Sequence, residues 1–322
     1  MKAIQFSRTG GPEVLELVDR DLPQPGTGQV RVRHEAIGVN FIDTYHRSGL
    51  YPVKLPSGLG QEAAGVVDAL GDDAAGFKLG DRVAYTGQMG AYAQYNLVPA
   101  ARLIRLPAGV SSETAAASLL KGMTAEFLLR RCYPLKAGEA VLIHAAAGGV
   151  GSILVQWAKT IGAIVIGAVG TQDKADLAKA LGCDHVILYR DEDVAARVKD
   201  VTGGAGVSVV YDGVGAATLE ASLSSLRRRG LLASFGNASG PAGAVEPGRL
   251  QRGGSLFLTR PTLFDYIATP EDLTESAAAL FHVLQTGAVK VSVAQRFALA
   301  DARAAHEALE GRQTTGSTVL IP

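Results

Sequence analysis

The stretch VLIHAAAGGVGSILVQWAK, residues 141–159, decides the fold. An apolar run that predicts a strand leads into an Ala-x-x-Gly-x-x-Gly pattern at Ala145, Gly148 and Gly151, and a helix follows. Gly148 and Gly149 permit a tight turn and the close approach of a pyrophosphate, and Gly151 allows the helix to pack closely on the strand. N–H groups at the helix start and the helix dipole favour phosphates. This strand–turn–helix context predicts a dinucleotide site, which a glycine pattern alone would not.

Six short apolar runs in this part of the chain have the character of buried strands. They are VLIHAA, IVIGAV, HVILY, VSVVYDGV, LLASFG and SLFLTR, separated by amphipathic helical segments or, before the last, by a Gly/Pro-rich loop. Strands that are apolar on both faces and alternate with helices predict a parallel sheet covered on two sides. Six of them predict the complete doubly wound α/β dinucleotide fold.

The first third of the chain has a different character. VRVRHEAIGV, EAAGVVDALG and DRVAYTG predict short strands between Gly, Pro and Asp turn signals, without a βαβ rhythm. Residues 113–131, rich in Ala and Leu, then predict a helix that Ser111 or Ser112 can cap.

The end of the chain predicts two more helices, near 271–285 and 300–310, with strands flanking them. The final STVLIP predicts a strand that returns to the first domain. We therefore predict a discontinuous catalytic domain, residues 1–124 and 264–322. The dinucleotide-binding domain, residues 125–263, is inserted within it.

Composition narrows the function class. The 322 residues carry 31 basic and 31 acidic side chains, so no charge excess points to nucleic acid or an anionic membrane. Cys132 and Cys183 are far apart, which excludes a disulfide framework and a four-cysteine zinc lobe. MKAIQF lacks a signal-peptide core and no apolar run reaches transmembrane length, so we expect a cytoplasmic protein.

The second strand of the dinucleotide fold bears on the choice of cofactor. NAD sites usually carry an Asp or Glu at its end, but here Gly170 and Thr171 occupy the place. The missing carboxylate leaves room for the extra phosphate of NADP, which Lys174 and Tyr189 could contact. Asp173 is expected at a helix N-terminus, where a carboxylate is stabilising. These residues favour NADPH.

Several stretches carry a resemblance to a known family. They are GGPEVLE, AIGVNFIDTYHRSGLYP, LPSGLGQEAAG, AAASLLKGMT, HAAAGGVG, QWAK, VVYDGVG, SFGN and GSTVLIP. Over nearly its whole length the chain resembles quinone oxidoreductases of the zeta-crystallin type, in the zinc-free branch of the medium-chain dehydrogenase/reductase superfamily. The resemblance implies a GroES-like catalytic domain, a Rossmann domain, and a homodimer that pairs the SLFLTR edge strands.

The same resemblance raises the question of a metal. Zinc-dependent members use a Cys, a His and a second Cys, but Asn40 and Gln61 stand at the first two places and Leu120 or Lys121 near the third. No catalytic zinc site of the known type is expected. Oxidising an alcohol requires an alkoxide, from a group with a pKa of about 16, so a Lewis acid helps greatly. A quinone or enone spreads the charge left by an arriving hydride, so positioning is most of the task.

Site residues follow from the resemblance. Substrate and nicotinamide are expected to meet in the cleft between domains, lined by Asn40, Tyr45 and Tyr51; the tyrosines could stack on a flat acceptor or hydrogen bond to it, or simply pack the loop. Neither Glu62, expected as a hydrogen-bond partner in a turn, nor His46, the histidine nearest the site, is assigned acid–base chemistry. The expected cofactor contacts are Asn40, Thr124, Gly148, Gly149, Val150, Gly170, Lys174, Tyr189, Phe235, Asn237, Leu258 and Arg312.

Alternatives to a quinone reductase remain open. An NADPH-dependent reductase of α,β-unsaturated ketones or aldehydes would use the same residues. A non-catalytic NADPH- or RNA-binding crystallin-like protein is a different class, and a zinc alcohol dehydrogenase a further one. The Arg227–Arg229 run could suggest RNA, but cations at a helix C-terminus explain it better.

Overall fold

The computed structural model describes residues 1–74 and 76–322. Within them, the strands are β1 (Lys2–Phe6), β2 (Glu16–Asp19), β3 (Gln29–Val39), β4 (Ser57–Gly58), β5 (Glu62–Leu70), β6 (Arg82–Thr86), β7 (Tyr95–Pro99), β8 (Ile104–Arg105), β9 (Ala140–His144), β10 (Ile164–Val169), β11 (His185–Leu188), β12 (Val207–Asp212), β13 (Leu226–Ser234), β14 (Phe257–Thr259), β15 (Val293–Ala298) and β16 (Ser317–Ile321).

The α-helices of the described residues are α1 (Phe41–Ser48), α2 (Ser112–Phe127), α3 (Gly149–Ile161), α4 (Gln172–Ala180), α5 (Val194–Val201), α6 (Leu219–Ser225), α7 (Pro247–Arg252), α8 (Leu263–Tyr266), α9 (Pro270–Gln285) and α10 (Ala302–Glu310). None of them is both long enough and apolar enough to cross a membrane.

The chain divides into two compact units, and the division falls within α2. The first unit comprises Met1–Lys121, Ile267–Gln285 and Val291–Pro322, and the second comprises Gly122–Tyr266 and Thr286–Lys290. The domain bounds given above remain a prediction.

The second unit is built on a six-stranded parallel sheet. Its strand order is β11-β10-β9-β12-β13-β14, with the chain running outward from β9 in both directions. All six residues of β12 are buried, as expected for a strand covered on both faces. Leu142, Ile166, Val210 and Leu232 are fully buried in its core. The predicted doubly wound fold is confirmed, and the strand order reverses between β9 and β12, where such folds usually bind their ligands.

The first unit is mostly antiparallel. Its larger sheet has the order β15-β16-β3-β5-β6-β8, and β7 also pairs with β3. The long β3 therefore pairs with β5, β7 and β16, and Val32 and Ile37 on it are fully buried. The predicted return of STVLIP is confirmed, because β16 pairs antiparallel with β3.

Two predicted helices differ at their ends. The helix predicted over 113–131 ends at Phe127, and the next five residues, Leu128–Cys132, form a π-helical turn. Its N-terminus is capped by Ser111, whose Oγ accepts a hydrogen bond of 3.0 Å from the backbone N–H of Thr114. The helix predicted from residue 300 begins at Ala302, after a short 3₁₀ turn.

Candidate active site

The turn between β9 and α3 forms the predicted phosphate loop. Gly148 is extended (φ −83°, ψ 179°) at the helix start, and the left-handed residue of the turn is Ala145, with φ 51°. A Cβ on Gly151 would lie 2.2 Å from the carbonyl oxygen of Ala145, so only glycine allows α3 to approach this close. The expected role of Gly151 is thus supported by the backbone, while the positive φ at an alanine was not foreseen.

A buried polar cluster holds the neighbouring loop at the same sheet edge. Asp212, at the end of β12, accepts hydrogen bonds from the backbone N–H groups of Val214 (2.8 Å) and Gly215 (3.1 Å). It also accepts one of 2.7 Å from the hydroxyl of Ser222, whose oxygen lies 3.0 Å from Nε2 of His144. Since the Ser222 hydrogen goes to Asp212, the His144 ring donates to Ser222. Burial lowers the pKa of His144, which keeps this ring neutral.

At the end of β10, Gly170 and Thr171 stand where an NAD site usually carries a carboxylate. A Cβ on Gly170 would lie 2.5 Å from the hydroxyl oxygen of Tyr189, whose side chain is exposed. Thr171 caps α4, its Oγ1 accepting from the backbone N–H of Lys174 at 3.4 Å. Asp173 lies in the first turn of α4, as expected. Gly170, Lys174 and Tyr189 thus lie at the carboxyl ends of β10 and β11 or in the helix that follows β10.

The other predicted cofactor residues are spread over several elements. In the second unit, Val150 is in the first turn of α3 and Thr124 is buried in α2. The backbone N–H of Phe235, just after β13, donates to the carbonyl of Asp212 at 2.8 Å, and Asn237 follows two residues later. Leu258 lies in β14 and is exposed. Arg312 is also exposed; it belongs to the first unit and follows α10, with φ 57°.

The candidate acceptor residues of the first unit surround α1. Asn40 precedes the helix, and its backbone N–H donates to Oδ2 of Asp43 at 2.8 Å while the Asp43 N–H donates back to the Asn40 carbonyl at 3.0 Å. This reciprocal pair, three residues apart, fixes the helix start. Tyr45 and Tyr51 meet edge to face, with ring centroids 5.2 Å apart. The structure therefore places Tyr51 against Tyr45, which lies in the helix that Asn40 begins.

Gln61, at the place of the metal-binding histidine, contacts a histidine instead. Its Nε2 lies 2.6 Å from Nε2 of His46, so the amide N–H donates to the imidazole nitrogen. The His46 ring in turn meets Tyr51 edge to face, with centroids 5.8 Å apart. Burial lowers the pKa of His46, which favours the neutral acceptor form.

Glu62 contacts the residues that stand at the other two zinc-ligand places, Asn40 and the Leu120–Lys121 pair. Its Oε2 accepts from Nδ2 of Asn40 at 2.8 Å, and its Oε1 accepts from the backbone N–H of Leu120 at 2.6 Å. The Nζ atom of Lys121 lies 3.6 Å from Oε2. Glu62 was expected in a turn, but it is the fully buried first residue of β5. Burial raises the pKa of Glu62, and the charge of Lys121 opposes that rise.

A chain of hydrogen-bonded groups connects α1 to Tyr92 and to α10. The Tyr92 hydroxyl donates to Oδ2 of Asp43 at 3.0 Å and lies 3.0 Å from Nε2 of His306. Arg47, in the last turn of α1, donates to Nδ1 of His306 at 3.0 Å and to both carboxylate oxygens of Glu310 at 2.9 and 2.7 Å. Burial raises the pKa of Asp43 to about 7, and burial together with Arg47 lowers that of His306 to about 3.

Sequence reasoning gave no role to several of these residues, among them Asp43, Arg47, Lys121 and His306. Only Asp43 left a local signal, its three-residue spacing from Asn40, which is that of a capping box. The others meet their partners across long stretches of chain. Within the described part of the chain, no three or more His, Cys, Asp or Glu side chains are grouped to hold a metal ion.

The arginine run lies in a strand and not at the helix C-terminus where it was predicted. Arg227, Arg228 and Arg229 are not part of a helix end; they lie in β13, one residue after the start of that strand. Arg227 forms an ion pair of 3.1 Å with Glu139, and Arg229 has φ 58°.

Comparisons with known proteins agree with this geometry. Residues 26–108 match the alcohol dehydrogenase GroES-like domain, and residues 149–281 match the family described as zinc-binding dehydrogenase. The quinone oxidoreductase of Pseudomonas aeruginosa is 52% identical, over 100% of this chain and 99% of the relative. A 2-haloacrylate reductase from a Burkholderia species is 45% identical, over 99% and 98%.

The crystal structure of the Escherichia coli quinone oxidoreductase complexed with NADPH has a TM-score of 0.98 and 51% identity, over 100% of both chains. Full-length identity at this level shows a shared family. The residues at the three places of the zinc ligands, Asn40, Gln61 and the Leu120–Lys121 pair, distinguish the chain from the metal-dependent branch. The chain therefore belongs to the quinone oxidoreductases, in the zinc-free branch of the medium-chain dehydrogenase/reductase superfamily.

Proposed function

We infer that this protein is an NADPH-dependent quinone oxidoreductase that works without a metal ion. The observation that carries this inference is full-length similarity, above 50% identity, to quinone oxidoreductases, one of them in complex with NADPH. The residues of the second unit fit that cofactor, and the polar and aromatic residues around α1 fit a flat carbonyl acceptor.

The fit to NADPH rests on two places where a side chain would be in the way. Gly151 lets α3 approach the phosphate loop, so that its first N–H groups are presented to a pyrophosphate. A side chain at Gly170 would meet the Tyr189 hydroxyl, which disfavours the carboxylate that an NAD site usually carries there. Lys174 supplies a positive charge for the 2′-phosphate. When bound, NADPH supplies the hydride, and the protein's task is to hold it in place.

The acceptor is assigned to Asn40, Tyr45 and Tyr51. Half-buried Tyr51, held edge to face against the buried ring of Tyr45, offers an aromatic surface for a planar quinone. The Asn40 amide, fixed on Glu62, offers a hydrogen bond to a carbonyl oxygen that gains negative charge. No residue is assigned as an acid or base.

The test follows the oxidation of NADPH with 1,4-benzoquinone, 9,10-phenanthrenequinone and an enone, with NADH in parallel and EDTA in every sample. We expect rapid turnover of a quinone with NADPH, slower turnover with NADH, and no effect of EDTA. Loss of turnover in EDTA, restored by stoichiometric zinc, would contradict the metal-free assignment.

A second candidate acceptor is an α,β-unsaturated carbonyl compound. The 45% identical 2-haloacrylate reductase favours it, because a haloacrylate is a conjugated acid rather than a quinone. Turnover of the enone alone would move the assignment to this class. NADPH binding without turnover of any acceptor would indicate the third alternative, a non-catalytic NADPH- or RNA-binding protein.

The exposed edge strand of the second unit suggests how two copies of the chain could assemble. In β14, the edge strand of the parallel sheet, Phe257 is 58% exposed and Leu258 is 38% exposed. An exposed apolar edge strand is a liability unless it is paired. We propose a homodimer of the zeta-crystallin type that pairs these edges, located in the cytoplasm and without a nucleic-acid partner.

A further inference from the structure

A buried ion pair, Lys121 with Glu62, lies beside the Asn40 amide, and the proposed function gives Lys121 no role. Glu62 contacts three groups: the Asn40 amide before α1, and the Leu120 backbone N–H and the Lys121 ammonium, both in α2. Its space is reserved by Gly38 of β3, where a Cβ would lie 2.2 Å from Oε2 of Glu62. The packing of β3 therefore leaves room for the Glu62 carboxylate only because residue 38 is glycine.

The charges of this cluster depend on each other. Glu62 is fully buried and Lys121 is 6% exposed, and the Lys121 ammonium makes no hydrogen bond to the described residues. A buried charge left without a partner is strongly destabilising. Asp43 and Tyr92 are the other titratable groups that act on Glu62 or on its partners. Lys121 is thus the cation near Glu62 that offsets its burial.

The ionised carboxylate fixes the Asn40 side chain. As an anion with two acceptor oxygens, Glu62 can bind the Asn40 amide on Oε2 and the Leu120 N–H on Oε1 at the same time. A hydrogen bond to a charged acceptor is stronger than one between neutral groups, so the amide is held in one orientation. One side-chain N–H of Asn40 donates to Glu62. Because the amide group is planar, this bond also fixes the direction in which its second N–H points.

We propose that Lys121 is a positioning residue for the reaction, because it keeps Glu62 ionised and Glu62 aims the second amide N–H of Asn40 at the carbonyl oxygen of the acceptor. This inference rests on the proposed function, in which Asn40 faces the acceptor. Lys121 does not contact the acceptor; its charge acts on Glu62, and Glu62 orients Asn40.

The kinetic test compares Lys121→Met, Lys121→Arg, Glu62→Gln and the double variant Lys121→Met/Glu62→Gln with the wild type. We expect Lys121→Met to lower kcat for the quinone about tenfold, which corresponds to about 1.4 kcal/mol, with the KM for NADPH unchanged. Because the Lys121 charge then no longer opposes the effect of burial on the pKa of Glu62, the acidic limb of the kcat profile should move to higher pH. Lys121→Arg should restore both values.

The double variant separates positioning from direct contact. If Lys121 acts through Glu62, removing it from the Glu62→Gln protein should lower kcat no further. Multiplied losses in the double variant, or a wild-type kcat and pH profile in Lys121→Met, would overturn the proposal. The double variant carries neither charge, so it keeps this comparison available if Lys121→Met fails to fold.

A second readout does not depend on turnover. In the protein without cofactor, the two side-chain N–H protons of Asn40 should give well separated NMR signals, assigned by their loss in Asn40→Asp. The separation should shrink in Glu62→Gln, and in Lys121→Met it should shrink as the pH falls. Unchanged Asn40 signals in both variants would contradict the inference even if the wild type turns over quinones. If the wild type reduces no quinone, the proposed function fails and these signals still decide the arrangement of the cluster.

Discussion

The Nη1 atom of Arg47 lies 3.0 Å from Nδ1 of His306, so a buried guanidinium donates to a neutral imidazole. The other nitrogen of that ring then carries the hydrogen and donates to the Tyr92 hydroxyl, which in turn donates to Asp43. A single tautomer satisfies every one of these bonds. The start and the last turn of α1 are thereby tied to α10.

This tautomer makes stability depend on pH. The pKa of His306 falls from 6.5 to about 3 on folding, because of burial and then Arg47. The contribution of neutral His306 to the free energy of unfolding is therefore complete above pH 6.5 and is lost as the pH falls toward 3. We expect His306→Gln, which cannot take up a proton, to show a shallower fall of the melting temperature between pH 7 and 4.5.

The control for this prediction is His282→Gln, at an exposed histidine of α9, which should keep the wild-type slope. Asp43 acts in the opposite direction, since its raised pKa makes its contribution grow as the pH falls from about 7. It is present in all three proteins, so the comparison isolates His306. Equal slopes in wild type and His306→Gln would contradict the prediction.

Gly151→Ala should weaken the binding of NADPH. The added methyl would lie 2.2 Å from the carbonyl oxygen of Ala145, so α3 or the phosphate loop must move. Overpacking of this kind costs about 1–3 kcal/mol. Fluorescence titration should show a raised Kd for NADPH together with a lower melting temperature. Gly243→Ala, where a Cβ meets nothing within 4 Å, is the matched control and should change neither.

Lys174→Met should reduce the preference for NADPH over NADH. A charge-assisted hydrogen bond to a phosphate contributes about 1.5–3 kcal/mol, so the KM for NADPH should rise at least about tenfold. The KM for NADH, which lacks the 2′-phosphate, should change little. Lys179→Met, in the last turn of the same helix, is the control. Equal losses with the two cofactors would show that Lys174 does not read the 2′-phosphate.

Phe257→Asp should convert the proposed dimer into a monomer. It places a charge on the exposed edge strand β14, where an identical strand would have to pair. Light scattering after size-exclusion chromatography at micromolar concentration measures the mass directly. Leu79→Asp removes a comparably exposed apolar side chain, 65% exposed, from a loop of the first unit and should leave the mass unchanged. A monomeric wild type would refute the dimer.

The parallel sheet could be predicted from the sequence because its signals are local. Most of the strands are apolar runs next to an amphipathic helical segment, and the glycines at 148, 149 and 151 mark one turn. The left-handed Ala145 could not be predicted, since alanine has no preference for that conformation. Nor did a pattern distinguish the π-helical turn at Leu128–Cys132 from a continued α-helix.

The candidate site was predicted less completely. Asn40, Tyr45, Tyr51 and Gln61 were named from a resemblance to relatives, without knowledge of what they touch. The partners that give them orientation, such as Lys121 and His306, are fixed by tertiary contacts between segments far apart in sequence. Hydrophobic periodicity carries no information about such pairs.

The place of β16 in the first unit has a consequence for synthesis on the ribosome. This strand lies between β15 and β3, so the sheet begun by residues 29–39 is completed only after residues 317–321 have been synthesised. The long segment of the second unit, residues 122–266, has by then left the exit tunnel and can close its own parallel sheet. A nascent chain stalled before residue 317 should therefore hold a protease-resistant nucleotide-binding fold, while the segments that carry Asn40 and Glu62 are still cleaved.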